Sequence, residues 1–573
     1  MARPRTGPRL AAAAAVCALA LAGVVLTSTP AHAATYSVTS SADSGAGSLR
    51  EAIGLANGSI GPDEITFQAG LGDITLTSGT IEINDPLTIS GPGPSALSIV
   101  RDGSFDMFLV DMDVTGDVVI GGLDFIGNSL LDSGRAIVVP AGDPGLENLT
   151  VGNTWFGGFS SASEGGAVTV YAANNTVSIS NSVFTLNDSD FPGGAVYVGN
   201  TGGSLLVTDS EFTGNQATEG GALFVDAVAA LIVQGSSFTE NTAEIDGGAI
   251  ALATASGASG IRYSTFTDNT AGDATATDGL GGAIYIASIP VDTQFDISQT
   301  AVLGSTVVEG SVQSFGAGLF VDQTDGVLLI DSTTFHGGQF VPGAGSAAGS
   351  GLSIALCDVA STGTVRVINS TFDETSALEN FAIHACVNDG NIELLYSTFV
   401  APGALYINNN GGSADIYSTI LNATTNPYAV ATGDGAPVHT AWNLFSTATI
   451  PAFTTSGGGD RYLVTDPGLG PLALNGGPTP TRLPLVGGAA YDSGDPGVAL
   501  LTPPTWDQRG SGFPRVDGRI DIGAVEIPRS LPSTGQPVSG AAGLASILLV
   551  IAGIGLVAQA RRALLRDLIR QST

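Results

Sequence analysis

The basic side chains that could take part in acid–base chemistry are few in this sequence of 573 residues, and the candidates stand far apart along it. Proton abstraction beside a carboxylate, the step that cleaves a uronate polymer, uses a base such as Lys or Arg together with acids that hold calcium. The sequence has no Lys, and only Arg262 and Arg366 fall on the repeated strands defined below, several repeats apart. Hydrolysis of the same polymers would use paired aspartates and a Gly-His-Gly segment, and neither occurs. The sequence therefore predicts no catalytic residue, with a polysaccharide-active enzyme as the alternative.

Three histidines, His336, His384 and His439, are scattered through the second half of the chain, which favours structural or surface roles over catalysis. The densest group of charges lies near the carboxyl end, and it is either a site or a network of ion pairs. We favour a capping ion-pair network, formed by Asp507, Arg509, Arg515, Asp517, Arg519 and Asp521.

Acidic residues recur in the predicted turns between strands, where carboxylates are able to bind calcium weakly. The glycine–aspartate repeat of calcium-bound β-rolls is missing, so solvated turn acids are the preferred interpretation. We predict no metal site and no cofactor, with weak Ca²⁺ binding as the alternative at Asp188, Asp190, Asp268, Asp273 and Asp278.

Cys357 and Cys386 occupy equivalent positions in two similar segments, GLSIALC and NFAIHAC, if Leu352 is aligned with Phe381. Residues in the same register of neighbouring parallel strands lie about 4.8 Å apart, which is within the range that a disulfide spans. We predict a disulfide between them, with two reduced thiols as the alternative.

Composition excludes several classes of protein. The formal net charge is −34, only 12% of residues are charged, 43% are apolar, and there are 80 Gly. Intrinsic disorder does not fit so apolar a chain, and collagen does not fit glycines without a three-residue period. The scarcity of basic residues argues against a nucleic-acid partner.

The amino terminus has the three parts of a secretory signal. Arg3, Arg5 and Arg9 precede an apolar run over 10–26, and the small-residue triplet 31–33 follows. We expect cleavage between Ala33 and Ala34.

At the other end, Leu531, Pro532, Ser533, Thr534 and Gly535 precede an apolar run over 541–558 and a tail with four Arg. An 18-residue helix is about 27 Å long, nearly the thickness of a bilayer core, and the arginines favour a cytoplasmic end. This order resembles the sorting signal of Gram-positive surface proteins. The resemblance implies that a sortase cleaves between Thr534 and Gly535 and joins Thr534 to peptidoglycan. Removal of both ends leaves 11 Arg against 51 acidic residues, a net charge of −40.

The middle of the chain is a repeat. A motif of the form Φ-x-Φ-x-x-(Ser/Thr)-x-Φ, in which Φ is an apolar residue, recurs every 21 to 37 residues. Several copies continue as Phe-x-x-Asn, which gives Asn187, Asn215, Asn241 and Asn269, and then as Gly-Gly-Ala. The phrase ends at Phe156, Phe184, Phe212, Phe238, Phe266, Val302, Phe335, Phe372, Phe399 and Ile420.

Each Gly-Gly pair opens a second strand of alternating residues, such as AVYVGN and ALFVDA. Units this short bury their apolar faces only by stacking, so we predict an all-β chain that winds as a right-handed parallel β-helix. Repeats near 28 residues are too short for a β-propeller. Stacked Phe and a ladder of Asn amides should lie along the inside of the coils. The predicted organisation is signal peptide 1–33, amino-terminal cap 34–64, β-helix 65–424, closing region 425–527, linker 528–540, membrane span 541–558 and basic tail 559–573.

The Phe-x-x-Asn and Gly-Gly-Ala phrases resemble the repeats of polymorphic outer-membrane proteins. Residues 38–53 resemble the CSLREA-type opening of bacterial β-helix proteins, with Gly47 in place of the Cys, and Ser48 and Glu51 predict a helix from Ser48 to about Asn57. Residues 465–481, 492–494 and 506–526 resemble the choice-of-anchor Q domain, a family of secreted, pectin-lyase-like β-helix proteins.

These features predict a secreted, cell-wall-anchored surface protein of a Gram-positive bacterium that acts in adhesion or display without catalysis. The expected partners are sortase, peptidoglycan and a host, matrix or glycan ligand. The alternatives are a polysaccharide lyase or glycoside hydrolase, and a calcium-assisted glycan-binding module. Longer insertions in the coils that end near residues 302, 335 and 372 are the expected place for a groove.

Overall fold

The computed structural model describes much of the chain between the two termini. The described residues are 33–528 except 112–114, 128–132, 143–144, 172, 174–175, 200–201, 274–278, 309–312, 342–345, 349–351, 355–360, 374–381, 387–388, 409–411, 424–429, 433–436, 448–453 and 497–502. The predicted signal peptide, sorting motif, membrane span and basic tail lie outside them. No helix within the described ranges is long and apolar enough to cross a membrane.

The described chain winds through up to four parallel sheets per coil, and we number them in the order in which a coil visits them. Every pair of neighbours in these sheets is parallel and joins one coil to the next, as the repeat predicts for a parallel β-helix. The right-handed winding stays a prediction.

Sheet 1 is the longest, with 16 described strands. They are Thr35–Val38, Asp63–Phe67, Leu87–Ser90, Gly116–Gly121, Leu146–Gly152, Thr176–Ser180, Ser204–Thr208, Leu231–Gln234, Ser259–Arg262, Gln294–Ser298, Val327–Asp331, Thr364–Ile368, Asn391–Leu395, Ser413–Tyr417, Val438–Ala441 and Thr454–Ser456. The stacked coils thus extend at both ends beyond the range 65–424 that the repeat predicts.

From Gly116–Gly121 onward, sheet 2 follows sheet 1 after a two-residue turn, and sheet 3 is a short strip beside it in the middle coils. Sheet 2 consists of Ile74–Leu76, Ser98–Arg101, Asp124–Ile126, Trp155–Gly157, Val183–Thr185, Glu211–Thr213, Ser237–Thr239, Thr265–Thr267, Ala301–Leu303, Thr334–His336, Thr371–Asp373, Thr398–Ala401, Ile420–Ala423 and Leu444–Phe445. Sheet 3 consists of Ser160–Ser161, Asp188–Ser189, Gln216–Ala217, Thr242–Ala243, Thr270–Ala271, Thr306–Val308 and Gln339–Val341.

Sheet 4 closes each coil. It consists of Ile81–Ile83, Phe108–Val110, Ile137–Val139, Val168–Val170, Val196–Val198, Leu223–Val228, Ile250–Ala255, Ile284–Ile289, Leu319–Thr324, Leu352–Ile354, Ile383–Cys386, Leu405–Asn408 and Val430–Thr432. Two small pairs lie outside these four sheets: Gln313–Phe315 with Ser346–Ala348, and the antiparallel Leu469–Ala473 with Thr481–Pro484.

The repeated residues build the interior as predicted. Phe156, Phe184 and Phe212 are fully buried on sheet 2, and their ring centroids lie 4.7 and 4.8 Å apart with nearly parallel planes. One position differs from the prediction: Leu421, and not Ile420, lies opposite Phe399, because Ile420 pairs with Thr398. The apolar phrase alone could not separate these two adjacent apolar residues.

The predicted Asn ladder is also present. The side-chain amide of Asn241 donates to the carbonyl oxygen of Phe212 at 3.0 Å and to Oδ1 of Asn269 at 3.0 Å. Its own Oδ1 accepts the backbone and side-chain N–H groups of Asn215 at 3.0 and 2.9 Å. The side chain of Asn241 therefore satisfies polar groups of both neighbouring coils.

The Gly-Gly pairs are required by the backbone at the turn into sheet 4. Gly220 has φ +59°, a conformation in which a Cβ is unfavourable, and a Cβ on Gly221 would lie 2.2 Å from the carbonyl oxygen of Gly248. A side chain at either position would disturb the stacking of the coils.

The first coil is covered by one helix, Leu49–Ala56. Its N-cap Ser48 accepts the backbone N–H of Glu51 at 3.2 Å, as predicted, whereas the Glu51 carboxylate accepts the N–H of Gly47 and not that of Ser48. Leu49 and Ile53 are fully buried against the strands of the first coils.

The closing region lies along the flank of the coils. Gln508 donates to Thr334 Oγ1 at 2.8 Å and accepts from Thr371 Oγ1, both on the outer face of sheet 2. Arg515 donates to Asn369 Oδ1 at 2.8 Å, and the N–H of Ala524 donates to Thr398 Oγ1. The sequence predicted a cap, but the described part of this segment packs against the side of several coils.

Candidate functional site

The outer face of sheet 1 carries an unbroken column of charged residues in its later coils. Arg366, Glu393, Asp415 and His439 face one another in consecutive strands, at the same register. Because alternate residues of a strand point to opposite faces, all four side chains lie outside the coils, next to buried Val365, Ile392 and Ala414. We call these four residues the polar column.

An ion pair and a contact between a histidine and a carboxylate hold the polar column together. Arg366 Nε donates to Glu393 Oε2 at 2.5 Å, and His439 Nδ1 lies 2.9 Å from Asp415 Oδ1. The hydrogen bond from Arg366 to Glu393 raises the pKa of Arg366 above its ordinary value. The exposed fractions of the side chains are 46%, 20%, 27% and 44% along the column, so the column is open to a ligand.

The two carboxylates of the column lie next to each other. The side-chain amide of Asn391 donates to Glu393 Oε1 at 3.2 Å and to Asp415 Oδ2 at 3.3 Å. Burial, followed by the negative charges of Asp415 and Glu393, raises the pKa of the nearby Tyr417 hydroxyl. Adjacent carboxylates are a typical arrangement for acid–base chemistry on a glycosidic bond, and they also accept hydrogen bonds from hydroxyl groups.

An apolar wall stands beside the polar column. Ile368, Leu395 and Tyr417 follow two residues after the column positions, and Ile520 of the closing region packs against them. Arg519 from the same segment lies over the Trp442 ring, 5.7 Å from its centroid. The column and this wall together form a lateral surface at the junction of the coils and the closing region.

The histidines and arginines singled out in the sequence have different environments. Arg262 pairs with Asp296 at 2.8 Å on sheet 1, well before the polar column. His336 lies 3.8 Å from Asp373, a fully buried carboxylate that Arg482 also contacts. Burial lowers the pKa of His384 to about 4, between the rings of Phe315 and Tyr406. The structure therefore places only Arg366 and His439 in one site.

The charge cluster of the closing region was predicted to be a capping ion-pair network, and it forms a buried network in which most of the contacts are hydrogen bonds to backbone groups. Asp507 and Arg509 make an ion pair of 2.6 Å, and the fully buried Arg515 donates to the carbonyl oxygens of Gly523 and Ala524. Asp521 accepts the N–H groups of Asp492 and Ile527. Asp517 and Arg519 lie at its edge, where Arg519 donates to the carbonyl oxygen of Gly494.

Glu526 was missed in the sequence and completes this network. It is buried and accepts the backbone N–H of Asp521 at 2.8 Å, and its own N–H donates to Asp507. Burial raises the pKa of its carboxyl group to about 8. The carboxyl group of Glu526 therefore gains or loses its proton near neutral pH.

The turn acids do not converge in the described part of the chain, where no group of three or more His, Cys, Asp or Glu could hold a metal ion. Burial and the neighbouring Asp190 raise the pKa of Asp188, and burial followed by Glu240 raises that of Asp268. Asp273 is described at the end of its turn, and Asp278 lies outside the described residues. The absence of a metal site, with weak calcium binding as its alternative, stays a prediction.

The predicted disulfide lies outside the described side chains, because residue 357 and the side chain of Cys386 are not described. The alignment behind that prediction is wrong, since Leu352 pairs with Ile383 and not with Phe381. Insertions between these strands shift the register by two residues, which the sequence segments did not reveal. The disulfide itself stays a prediction.

A second outward column, of aromatic residues, runs along sheet 4. The rings of Tyr197 and Phe224 stack at 5.6 Å, and those of Tyr285 and Phe320 at 5.9 Å. Phe315, from one of the insertions expected to shape a groove, packs over the fully buried Phe320. Ala251 lies between Phe224 and Tyr285 in this register, so the rings form two separate stacks on the sheet. The outward-facing aromatic residues are already visible in the alternating strands AVYVGN and ALFVDA of the sequence.

Comparison with known proteins adds one finding. A family model described as the Chlamydia polymorphic membrane protein repeat matches residues 263–287. No curated protein matches the chain, and no solved structure does. The matched segment contains Phe266, Asn269 and the glycine pair at 281–282, which are the residues on which the resemblance was based. The repeat and the long parallel sheets together fit a β-helical surface protein.

Proposed function

We propose that the chain is an exported protein of a Gram-positive bacterium, covalently anchored to the cell wall, whose β-helical rod acts in adhesion without catalysis. The match to a polymorphic membrane protein repeat carries the surface assignment. The Gram-positive wall anchor is supported by the order of the carboxyl-terminal features: Leu531 to Gly535, then an apolar run, then arginines.

The fold supports a display role because its length comes from stacking. Each coil adds about 4.8 Å, and every described coil contributes a flank that faces outward. The strong negative charge keeps such a rod soluble and separate from anionic polymers at the cell surface.

The anchoring step has a direct test in a Gram-positive host with an active sortase. Replacement of Thr534 by Ala keeps the backbone carbonyl that the sortase is expected to attack and removes the side chain that identifies the cleavage position, whereas Ser533→Ala changes the variable position of the motif and is the matched control. We expect wild type and Ser533→Ala to be released by muramidase digestion and Thr534→Ala to stay in the membrane fraction. Equal release of all three would contradict covalent anchoring.

A second candidate, a polysaccharide-active enzyme, is favoured by one observation, the neighbouring carboxylates of Glu393 and Asp415. Incubation of the purified full chain with plant and microbial glycans, with and without calcium, separates the candidates by mass spectrometry. Adhesion without catalysis predicts no new oligosaccharides. New oligosaccharides that disappear in Glu393→Gln would establish the enzyme instead.

A further inference from the structure

The polar column and its apolar wall are the most ligand-like surface in the described part of the chain. We propose that this lateral surface binds a neutral polysaccharide, laid parallel to the axis of the rod. The inference rests on the proposed role in adhesion, and it names the face and the class of ligand.

The spacing of the column fits a polymer. Arg366, Glu393, Asp415 and His439 occupy four consecutive strands of one parallel sheet. Neighbouring strands lie about 4.8 Å apart, so the column offers one polar group per step over about 14 Å. One step is close to the length of one pyranose unit in an extended polysaccharide, so successive sugars meet successive coils.

The chemistry of the column fits hydroxyl groups. Glu393 and Asp415 accept hydrogen bonds, Arg366 donates them, and sugar hydroxyls do both. The ion pairs and Asn391 already hold the carboxylates in place, which lowers the entropy lost when a ligand binds. Ile368 and Tyr417 supply apolar surface beside them for the C–H faces of the sugars.

Charge favours a neutral polysaccharide over an anionic one. Within the column Arg366 pairs with Glu393 and His439 Nδ1 contacts Asp415, so neither carboxylate stands alone. The exported chain around it has a net charge of −40, which repels polyuronates and other anionic polymers.

Earlier coils of the same sheet lack this arrangement. The equivalent outward positions are Ser178, Leu206, Ile232 and Gly260, followed by Asp296, which pairs with Arg262. Asp296 is therefore an ion-paired carboxylate on the same face without a carboxylate neighbour in the column, and it provides a matched control.

The test is calorimetric titration of the purified full chain with cellohexaose, xylohexaose, mannohexaose and, as the charged probe, hexagalacturonate. We expect at least one neutral hexasaccharide to bind and hexagalacturonate to bind more weakly. Glu393→Gln and Asp415→Asn, which keep the shape and remove the charge, should each weaken binding roughly tenfold, because a hydrogen bond to a charged group is lost. Asp296→Asn should bind as wild type does.

Thr364→Trp keeps every ion pair of the column and places a large ring beside it, so it should also weaken binding even if Glu393→Gln proves unstable. Thermal midpoints of all variants identify unfolding. If a hexasaccharide binds the wild type and these variants equally, the proposed face is wrong while adhesion stands. If none of the neutral probes binds, the glycan class is wrong, and adhesion of whole cells to other surfaces still tests the proposed function.

Discussion

The middle coils, from about residue 160 to 272, and the later coils, from 364 to 441, have the same interior and different exteriors. Phe212 and Phe238 stack at 4.8 Å in the first region, and Phe372 and Phe399 stack at 4.8 Å in the second. The middle coils add the Asn ladder and sheet 3, whereas the later coils add the polar column and the closing region. Repetition therefore builds the rod, and departures from the repeat build surfaces.

The turn between sheets 1 and 2 also differs between the middle coils and the later coils. Nearly every described coil from residue 153 onward passes through one residue in the left-handed conformation there, with φ between +47° and +63°. The middle coils use mainly Asn, Asp or Gly, which adopt this conformation readily. The later coils place Tyr396 and Trp442 at this turn, where the two rings contact Arg515 and Arg519 of the closing region. The two aromatic residues at these turns thus help to hold the closing region against the coils.

The largest expected effect tests the shared interior. Replacement of Phe212 or of Phe372 by Ala removes a fully buried ring and leaves a cavity, so each should lower the free energy of unfolding by about 3–5 kcal/mol. Ile232→Ala, at an outward and partly exposed position, is the control and should cost far less. Urea unfolding measures the three values. A large difference between the losses of unfolding free energy in the two Phe variants would contradict the claim that both regions have the same interior.

The next effect tests a feature of the middle coils. Asn241→Ala leaves the buried N–H of Asn215 and the carbonyl of Phe212 without their side-chain partner, so we expect a loss of about 2–4 kcal/mol. The control is the exposed Gln234→Ala in the same coil. Hydrogen exchange should show faster exchange at Asn215 in the Asn variant alone. Unchanged exchange there would mean that the ladder adds nothing to the stability of the middle coils.

The smallest effect concerns the closing region and depends on pH. Because the pKa of Glu526 is raised from 4.5 to about 8, its contribution to stability is full below pH 4.5 and is lost as the pH rises through 8. Glu526→Gln should therefore match wild type at pH 4.5 and be more stable than wild type at pH 9, where the wild-type carboxyl group is ionised. Thermal midpoints across this range measure the difference, with the exposed Glu82→Gln as control. Parallel pH profiles of wild type and Glu526→Gln would contradict a protonated Glu526.

Local patterns predicted the fold, because short phrases determine which residues face inward. The Phe stack, the Asn ladder and the Ser48-capped helix each follow from residues close together in the sequence. The register between coils of unequal length does not follow from local sequence. The steps along the polar column are 27, 22 and 24 residues, and no local pattern aligns them. The same limit explains the misplaced Ile420 and the wrong alignment of Leu352. The flanking position of the closing region depends on contacts of Gln508 more than 130 residues away.

The most direct test of this division is hydrogen exchange of the full chain with and without the neutral hexasaccharide that binds most tightly in calorimetry. We expect slower exchange in Thr364–Ile368, Asn391–Leu395, Ser413–Tyr417 and Val438–Ala441, and no change in the middle strands Thr176–Ser180 and Ser204–Thr208. Protection confined to the middle strands, or to the aromatic column of sheet 4, would contradict the account.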